Sequence, residues 1–363
     1  MISDENQKDG PRANSASAVL WHPATEHLAA EEREWDEFVL GHPLGTPFHL
    51  SAWKKSLVET FGYQPCYLTS RSNGIINGVL PLFLIKNWMV GKVLLSTPFA
   101  VYGGILASSE QAKRQLIDEA GALAREQHVD HLELRNIDPQ QIAGFSPISR
   151  YVDFIQQVEP GDEDQLLAAL PRKIRNKIRK SLKSPFSSRR TSDLSGFLSV
   201  MAENYHRLGT PIFPDRWFHS LVHYFGEMAH VREILLEDKL AAASMNFLFG
   251  DRMYNFYSGS RECFLPLAPN NFMYFEHLLW AGNHGFRSFD FGRSKIESGN
   301  YEFKKQWSTE IRDLPYEILL VKRKELPNFS PANPKFDMAI RIWRKLPLPL
   351  THLLGPRLVR LFP

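Results

Sequence analysis

FDFGRSKIESGNYEFKKQW, residues 289–307, is the stretch on which the reading of this chain turns. An apolar–acid–apolar run, Phe289-Asp290-Phe291, leads into Gly292-Arg293-Ser294. A second glycine then opens Gly299-x-Tyr301-x-Phe303-Lys304-x-x-Trp307. The letters Asp290-Phe291-Gly292 suggest a phosphate-handling kinase loop. That reading needs a glycine-rich loop, a Val-Ala-Ile-Lys strand and a His-Arg-Asp catalytic loop upstream. The nearest approach to the last is His206-Arg207-Leu208, and the other two are missing. A lone DFG is a weak signal, and the kinase reading falls.

Working outward, residues 270–285 read as a helix with Asn270 as its N-cap, feeding the strand at 288–291. Before the helix lie strand-like runs at 241–250 and 253–259, and a turn at Glu237-Asp238-Lys239. The first half follows the same plan. Short helices are expected at 30–41 and 51–60, a hairpin turn at Ser72-Asn73-Gly74, and strands at 77–86 and 92–98. A helix over 109–127 follows, with Ser108 and Gln111 as a capping box and Leu116, Ile117, Ala120, Leu123 and Ala124 on one face. It leads into an alternating strand, His131–Arg135. Strand–turn–strand, helix, strand thus occurs twice, which implies two copies of one α/β domain; a single large α/β domain is the alternative. The polar turn Glu159-Pro160-Gly161-Asp162 marks the boundary.

Composition sets the outer limits. The chain has 363 residues, 43% of them hydrophobic, and a formal net charge of +3. That charge is too mild to indicate a nucleic-acid binder by itself. Cys66 and Cys263 lie far apart with no metal-type spacing, so neither a disulfide framework nor structural zinc is expected, and a reducing, cytoplasmic setting fits. His128 and His131 straddle a helix end and a strand without supporting carboxylates, so no metal site is expected there. The polar N-terminus has no apolar signal region and reads as a disordered lead-in over 1–18. No apolar run approaches the roughly 20 residues that span a bilayer, so the protein reads as soluble or peripheral.

Taken together, Tyr102-Gly103-Gly104, Gly209-Thr210-Pro211 with Pro214, Asp290-Phe291-Gly292-Arg293-Ser294 and Gly299-x-Tyr301-x-Phe303-Lys304-x-x-Trp307 resemble the FemAB family. These are peptidoglycan bridge-forming aminoacyltransferases and their relatives. The branch most similar is the FemAB-like group associated with exosortase and PEP-CTERM exopolysaccharide systems. The resemblance runs from Val19 to Arg360, and the motifs are specific as an ordered set. It implies an α/β (α+β) fold of two tandem GNAT-type acyltransferase domains, each a mixed twisted sheet flanked by helices. The segments would be 19–159 and 160–327, followed by a basic, proline-rich tail over 328–363. It implies transfer of an activated acyl or aminoacyl group to an amine of a cell-envelope precursor, either a peptidoglycan stem peptide or an exopolysaccharide amino sugar. A non-catalytic scaffold of polysaccharide assembly and an acyl-CoA-dependent N-acetyltransferase are the other readings.

By the same resemblance, the Phe303-Lys304 pair lies at the transfer site. A lysine among Tyr301, Phe303 and Trp307 sits in a partly desolvated setting, where its ammonium suits a phosphate or a developing oxyanion. Arg293 follows a strand end and a glycine, where open α/β sheets place ligand groups, and its fork suits a carboxylate or phosphate. Asp290 reads as a structural acid and the partner of Arg293 rather than a base.

Residues 166–183 carry seven cations and no acid around a stripe of Leu170, Ile174, Ile178 and Leu182. Such a helix is either a solvated face or a platform for an anionic partner: a diphosphate head group, tRNA or lipid. In the second case Arg172, Arg175 and Arg179 would contact it. The tail carries Arg341, Arg344, Lys345, Arg357 and Arg360, with no acid after Asp337. It reads as a segment resting on an anionic membrane at the inner face of the cell, or as a helix packed on the body. No bound cofactor and no DNA are expected. A CoA-type pyrophosphate loop is missing too: Arg71-Ser72-Asn73-Gly74-Ile75-Ile76 and Arg207-Leu208-Gly209-Thr210 each match in part and fail. That favours aminoacyl-tRNA, or another non-CoA donor, over acyl-CoA.

Overall fold

The computed structural model describes residues 17–20, 28–138, 140–307, 309–326 and 334–363. Of the lead-in expected over 1–18, Ser17 and Ala18 belong to a strand and the rest lies outside the described residues. The helices are α1 (Leu28–Gly41), α2 (Ser51–Phe61), α3 (Glu110–Glu126), α4 (Glu163–Ala169), α5 (Arg172–Ser181) and α6 (Ser195–Leu208). They continue with α7 (Asp215–Phe225), α8 (Pro269–Asn283), α9 (Gly299–Lys304), α10 (Pro334–Trp343) and α11 (Leu348–Val359). The strands of the first half are β1 (Ser17–Leu20), β2 (Gln64–Ser72), β3 (Ile75–Leu80), β4 (Phe83–Asn87), β5 (Gly91–Ser96), β6 (Leu106–Ala107), β7 (His131–Leu134) and β8 (Ser146–Gln157). Those of the second are β9 (Phe186–Arg190), β10 (Ala229–Leu236), β11 (Lys239–Phe249), β12 (Arg252–Ser260), β13 (Ser288–Asp290), β14 (Ser294–Lys295) and β15 (Glu310–Leu320).

Among the described residues fifteen strands join one mixed sheet, ordered β6-β3-β2-β4-β5-β7-β15-β8-β13-β12-β11-β10-β9, with β1 on β2 and β14 on β8. The internal repeat is visible in its parallel pairs. β5 pairs in parallel with β7 across α3, and β12 with β13 across α8. The strand that closes each half is exchanged. β8, which follows β7 in the chain, pairs with β13; β15, which follows β13 and the short β14, pairs with β7. The two exchanged strands also pair with each other, from Glu310↔Ile155 to Ile318↔Ser146. The α2 and α7 helices seal the halves from one side. Trp53 meets Trp217 edge-on with ring centres 5.2 Å apart, and both are fully buried.

Local chemistry moves several expected boundaries. The run at 77–86 is two strands, because Pro81 has no N–H to give to a ladder. The N-cap of α3 is Ser109, one residue later than expected, and its hydroxyl accepts from Ala112 N–H at 3.2 Å. The basic helix is broken at Leu170-Pro171, and proline opens its second part, where a missing N–H is harmless. Its apolar stripe is real: Leu170, Ile174 and Ile178 are buried. Ala268 is the N-cap of α8, with no side-chain cap bond, and Asn270 lies inside the first turn, where it lines a cavity.

Candidate active site

The site begins where two parallel strands part. β12 and β13 hold register from Arg252↔Ser288 to Tyr254↔Asp290 and then diverge. β12 runs on to Ser260, while the chain after Asp290 turns at Gly292. Gly292 has φ +75°, and a Cβ there would stand 3.2 Å from Asn255 O, so glycine suits the turn on both counts. The gap is a cavity of about 680 Å³. Residues 255–259 of β12 form one wall and Phe291, Gly292 and Arg293 the other. Phe303 and Lys304 of α9, Asn270 and Tyr274 of α8, and Thr210 and Pro211 after α6 complete it. The Thr210-Pro211 motif, distant in sequence, therefore meets the Phe291–Arg293 and Phe303-Lys304 motifs in one space.

Lys304 is 8% exposed and donates to Gly292 O at 2.8 Å and Arg293 O at 3.1 Å. Ser298 starts its helix, the hydroxyl accepting from Tyr301 N–H at 3.2 Å, which fixes where the lysine emerges. Burial pushes its pKa down to about 8, against the pull of Asp153 and Asp290. An ammonium has three donors, and two are used by these carbonyls. Arg293 donates to Tyr316 Oη at 2.5 Å and Ala100 O at 3.4 Å, and its guanidinium stacks 4.8 Å from the Tyr151 ring centre.

Asp290 is not the partner of Arg293. The two side chains leave the turn in different directions, and Asp290 joins a buried acid pair behind the cavity wall. Its Oδ1 accepts from Gly292 N–H at 2.6 Å. The Tyr102 hydroxyl lies between Asp290 Oδ2, at 3.0 Å, and Asp153 Oδ2, to which it also bonds. Arg312 pairs with Asp153 at 3.1 Å. Burial and the neighbouring Asp153 carboxylate hold the Asp290 carboxyl well above the usual carboxylate range. One phenol proton can satisfy one acid only, so a proton on Asp290 completes the network.

Of the residues expected at the site, Lys304, Arg293 and Phe303 line the cavity. Tyr301 and Trp307 do not. Tyr301 packs edge-on against Phe154, ring centres 5.5 Å apart, and Trp307 is fully buried against Phe291 and Tyr274. Arg172, Arg175 and Arg179 of α5 also lie off the cavity; Arg175 donates to Leu170 O at 3.2 Å, and Arg172 and Arg179 are exposed. Sequence reasoning missed Asp153, the role of Tyr102, and Asn204, Asn255 and Tyr274. An acid in the apolar run Tyr151-Val152-Asp153-Phe154-Ile155 was the available signal for Asp153. Tyr274 Oη donates to Asn255 Oδ1 at 3.1 Å, which fixes the Asn255 amide beside the cavity. Among the described residues, no group of three His, Cys, Asp or Glu is placed to hold a metal ion, and no helix is long and apolar enough to cross a membrane.

Known proteins agree with this architecture. A family model described as an acetyltransferase (GNAT) domain matches residues 170–305, the part that carries the cavity motifs. The crystal structure of FemX is similar at TM-score 0.64 and 18% identity, covering 80% of this chain and 96% of that one. L-PGS from Bacillus licheniformis is similar at TM-score 0.55 and 12% identity, covering 86% of this chain and 97% of its own. A tandem GNAT protein from the clavulanic acid biosynthesis pathway gives TM-score 0.51 and 12% identity over 82% of this chain and 97% of that one. No curated protein matches the chain in sequence. Identities this low bear on fold alone, and the fold is a mixed α/β, tandem-GNAT arrangement like that of FemX.

Proposed function

We propose that the protein is an acyltransferase that moves an activated acyl or aminoacyl group onto an amine of a cell-envelope precursor, a peptidoglycan stem peptide or an exopolysaccharide amino sugar. The observation that carries this reading is the convergence of Lys304 and Arg293, side by side, on a cavity opened by parting strands. The fold shared with FemX and L-PGS, and the acetyltransferase match over the same residues, support acyl transfer as the class. In the reaction, the acceptor nitrogen attacks the donor carbonyl carbon and a C–N bond forms. The carbonyl oxygen takes the negative charge, and the third N–H of Lys304 meets it. The C–O or C–S bond to the donor then breaks, and the amine proton leaves with the departing group or through water. Holding both substrates in the cavity supplies much of the acceleration. Arg293 orients an anionic group of one substrate.

The donor is best read as aminoacyl-tRNA or another non-CoA acyl group. A pyrophosphate cradle needs free N–H groups at a helix start. Here α8 begins on Pro269, which has none, and the N–H groups of Asn271 and Phe272 turn back to Ala268 O at 3.0 and 3.3 Å. The partial matches in sequence are spent elsewhere: Ser72–Gly74 is a hairpin turn, and Gly209 ends α6.

The deciding experiment compares peptidoglycan and exopolysaccharide, by mass spectrometry, from cells lacking the gene and complemented with wild type or Lys304→Met. A mass increment on an amine, restored by wild type and not by the variant, is the expected result. Identical envelope masses in all three strains would defeat the proposal. Titration calorimetry with CoA and acetyl-CoA checks the donor, since micromolar binding would move the reading to acyl-CoA.

A further inference from the structure

The last two helices have one face that the fold uses and one that it leaves open. On the inner face of α11, Thr351, Gly355 and Val359 are buried, and a Cβ on Gly355 would lie 2.9 Å from Ile212 N. The His206 ring bonds Leu346 O at 2.8 Å, and Arg344 donates to Leu208 O at 3.1 Å. The two helices are thus fixed to the end of α6 and to the loop after it, and their own Val359, Phe362 and Pro363 form part of the cavity wall. The outer face is different. Met338 is 64% exposed, Ile342 54% and Leu353 65%. On α10, Met338, Arg341 and Ile342 share one side, with exposed Lys345 one turn on. Leu350, Leu353 and Arg357 repeat the arrangement on α11. Residues 338–363 hold five Lys or Arg and no acid. From the body, Asp215 of α7 pairs with His352 at 3.3 Å.

We propose that this outer face docks on an anionic lipid bilayer. The aliphatic side chains enter the boundary between headgroups and acyl chains, and the cations sit among lipid phosphates. Both readings of the tail then hold at once, one for each face, and the cavity mouth is kept near the membrane surface. A nucleic acid is the poorer occupant, because exposed Met, Ile and Leu gain nothing against a phosphate backbone. The α5 helix makes the contrast: its Ile174 and Ile178 are fully buried, and what it shows to solvent is polar. The proposal concerns a surface and stands whether or not the chain transfers acyl groups.

The test is sedimentation of the full chain with vesicles of phosphatidylcholine alone, or of phosphatidylcholine mixed with phosphatidylglycerol. Binding to the mixed vesicles is expected at low salt, weakening as salt rises. Ile342→Ser with Leu353→Ser should lower partitioning by about tenfold or more. Arg341→Gln with Lys345→Gln and Arg357→Gln should lower it by about a hundredfold. All five positions are exposed, and unchanged thermal melts will show that the variants fold. No binding to mixed vesicles at low salt overturns the proposal. So does binding that ignores the apolar pair while a labelled tRNA binds and is lost with the cations, which would assign the face to a polyanion.

Discussion

The turns that follow β7 and β13 occupy equivalent places in the two halves and do opposite things. After β7, Arg135 is 5% exposed and spends its guanidinium inside the fold. It pairs with Glu133 at 2.9 Å, donates to Thr97 O and Ala100 O at 3.0 Å each, and lies 5.2 Å from the Tyr316 ring centre. Asn136 behind it donates to Glu317 at 2.6 Å. Its side chain also fills the space a Cβ on Gly104 would take, 2.1 Å from Oδ1, which accounts for the last glycine of Tyr102-Gly103-Gly104. After β13, Arg293 stacks on Tyr151 in the same manner and shares the Ala100 carbonyl, yet it lines a cavity and pairs with no acid among the described residues. One copy of the turn is closed into a joint, and the other opens onto the cavity. The exchanged strands explain the symmetry, since each arginine stacks on a tyrosine of the strand exchanged next to it.

The largest effect expected from this contrast is at Lys304, which has no counterpart at the closed turn. Lys304→Met should lower transfer by about a hundredfold or more, as for loss of one oxyanion donor. The variant leaves two carbonyls without a donor but also removes a buried charge, and these changes offset, so the thermal melt should move little. Wild-type turnover would remove Lys304 from the chemistry.

The two arginines test the comparison directly. Arg135→Gln should cost about 3 kcal/mol of stability, because it strands Glu133 in a nearly buried pair, with substrate affinity unchanged in the folded fraction. Arg293→Lys should weaken substrate binding by about tenfold, as a point charge replaces a planar fork, with a smaller loss of stability. Chemical denaturation and substrate titration on both variants decide it. If the two behave alike, the open turn is a joint as well.

A subtler effect concerns pH. With its pKa near 8, Lys304 is mostly charged at neutral pH and loses its proton as pH rises through 8. If the cation stabilises the oxyanion, the rate falls along that limb. A rate that rises through pH 8 would make Lys304 a base instead.

How far the sequence carried this reading follows from the range of each interaction. The hydrophobic periods of α3 and α8 and the strands that flank them are local, and they announced the repeat. The convergence of Gly209-Thr210-Pro211, Asp290–Arg293 and Phe303-Lys304 was legible only as an ordered set resembling a known family. The exchange of β8 with β15 was not legible, because two apolar strands fit either partner and the choice is made by tertiary pairing. Asp153 was missed because its partners Tyr102, Asp290 and Arg312 are all distant in sequence. Pro171, by contrast, stood in plain view inside the basic helix, and the apolar stripe across it hid the break.

The smallest effect, and the most specific, belongs to Asp290. If its carboxyl is protonated in the fold, the native state holds a proton that the unfolded chain gives up near the ordinary carboxylate value, about 4. Native protein then binds more protons than unfolded protein above that pH, and stability falls as pH rises toward the elevated native value. Asparagine keeps the same shape. Its Oδ1 still accepts from Gly292 N–H, and its amide replaces the O–H beside Tyr102 and Asp153. Asp290→Asn should therefore be neutral or stabilising at pH 7, and any gain over wild type should fade toward pH 4, where wild type carries the proton without penalty. Melts of both proteins across that range measure the difference. A variant less stable than wild type at pH 7, with the loss shrinking in acid, would mean that Asp290 is ionised. Either Asp153 would then carry the proton, or the Arg312 charge would have to hold two carboxylates around Tyr102.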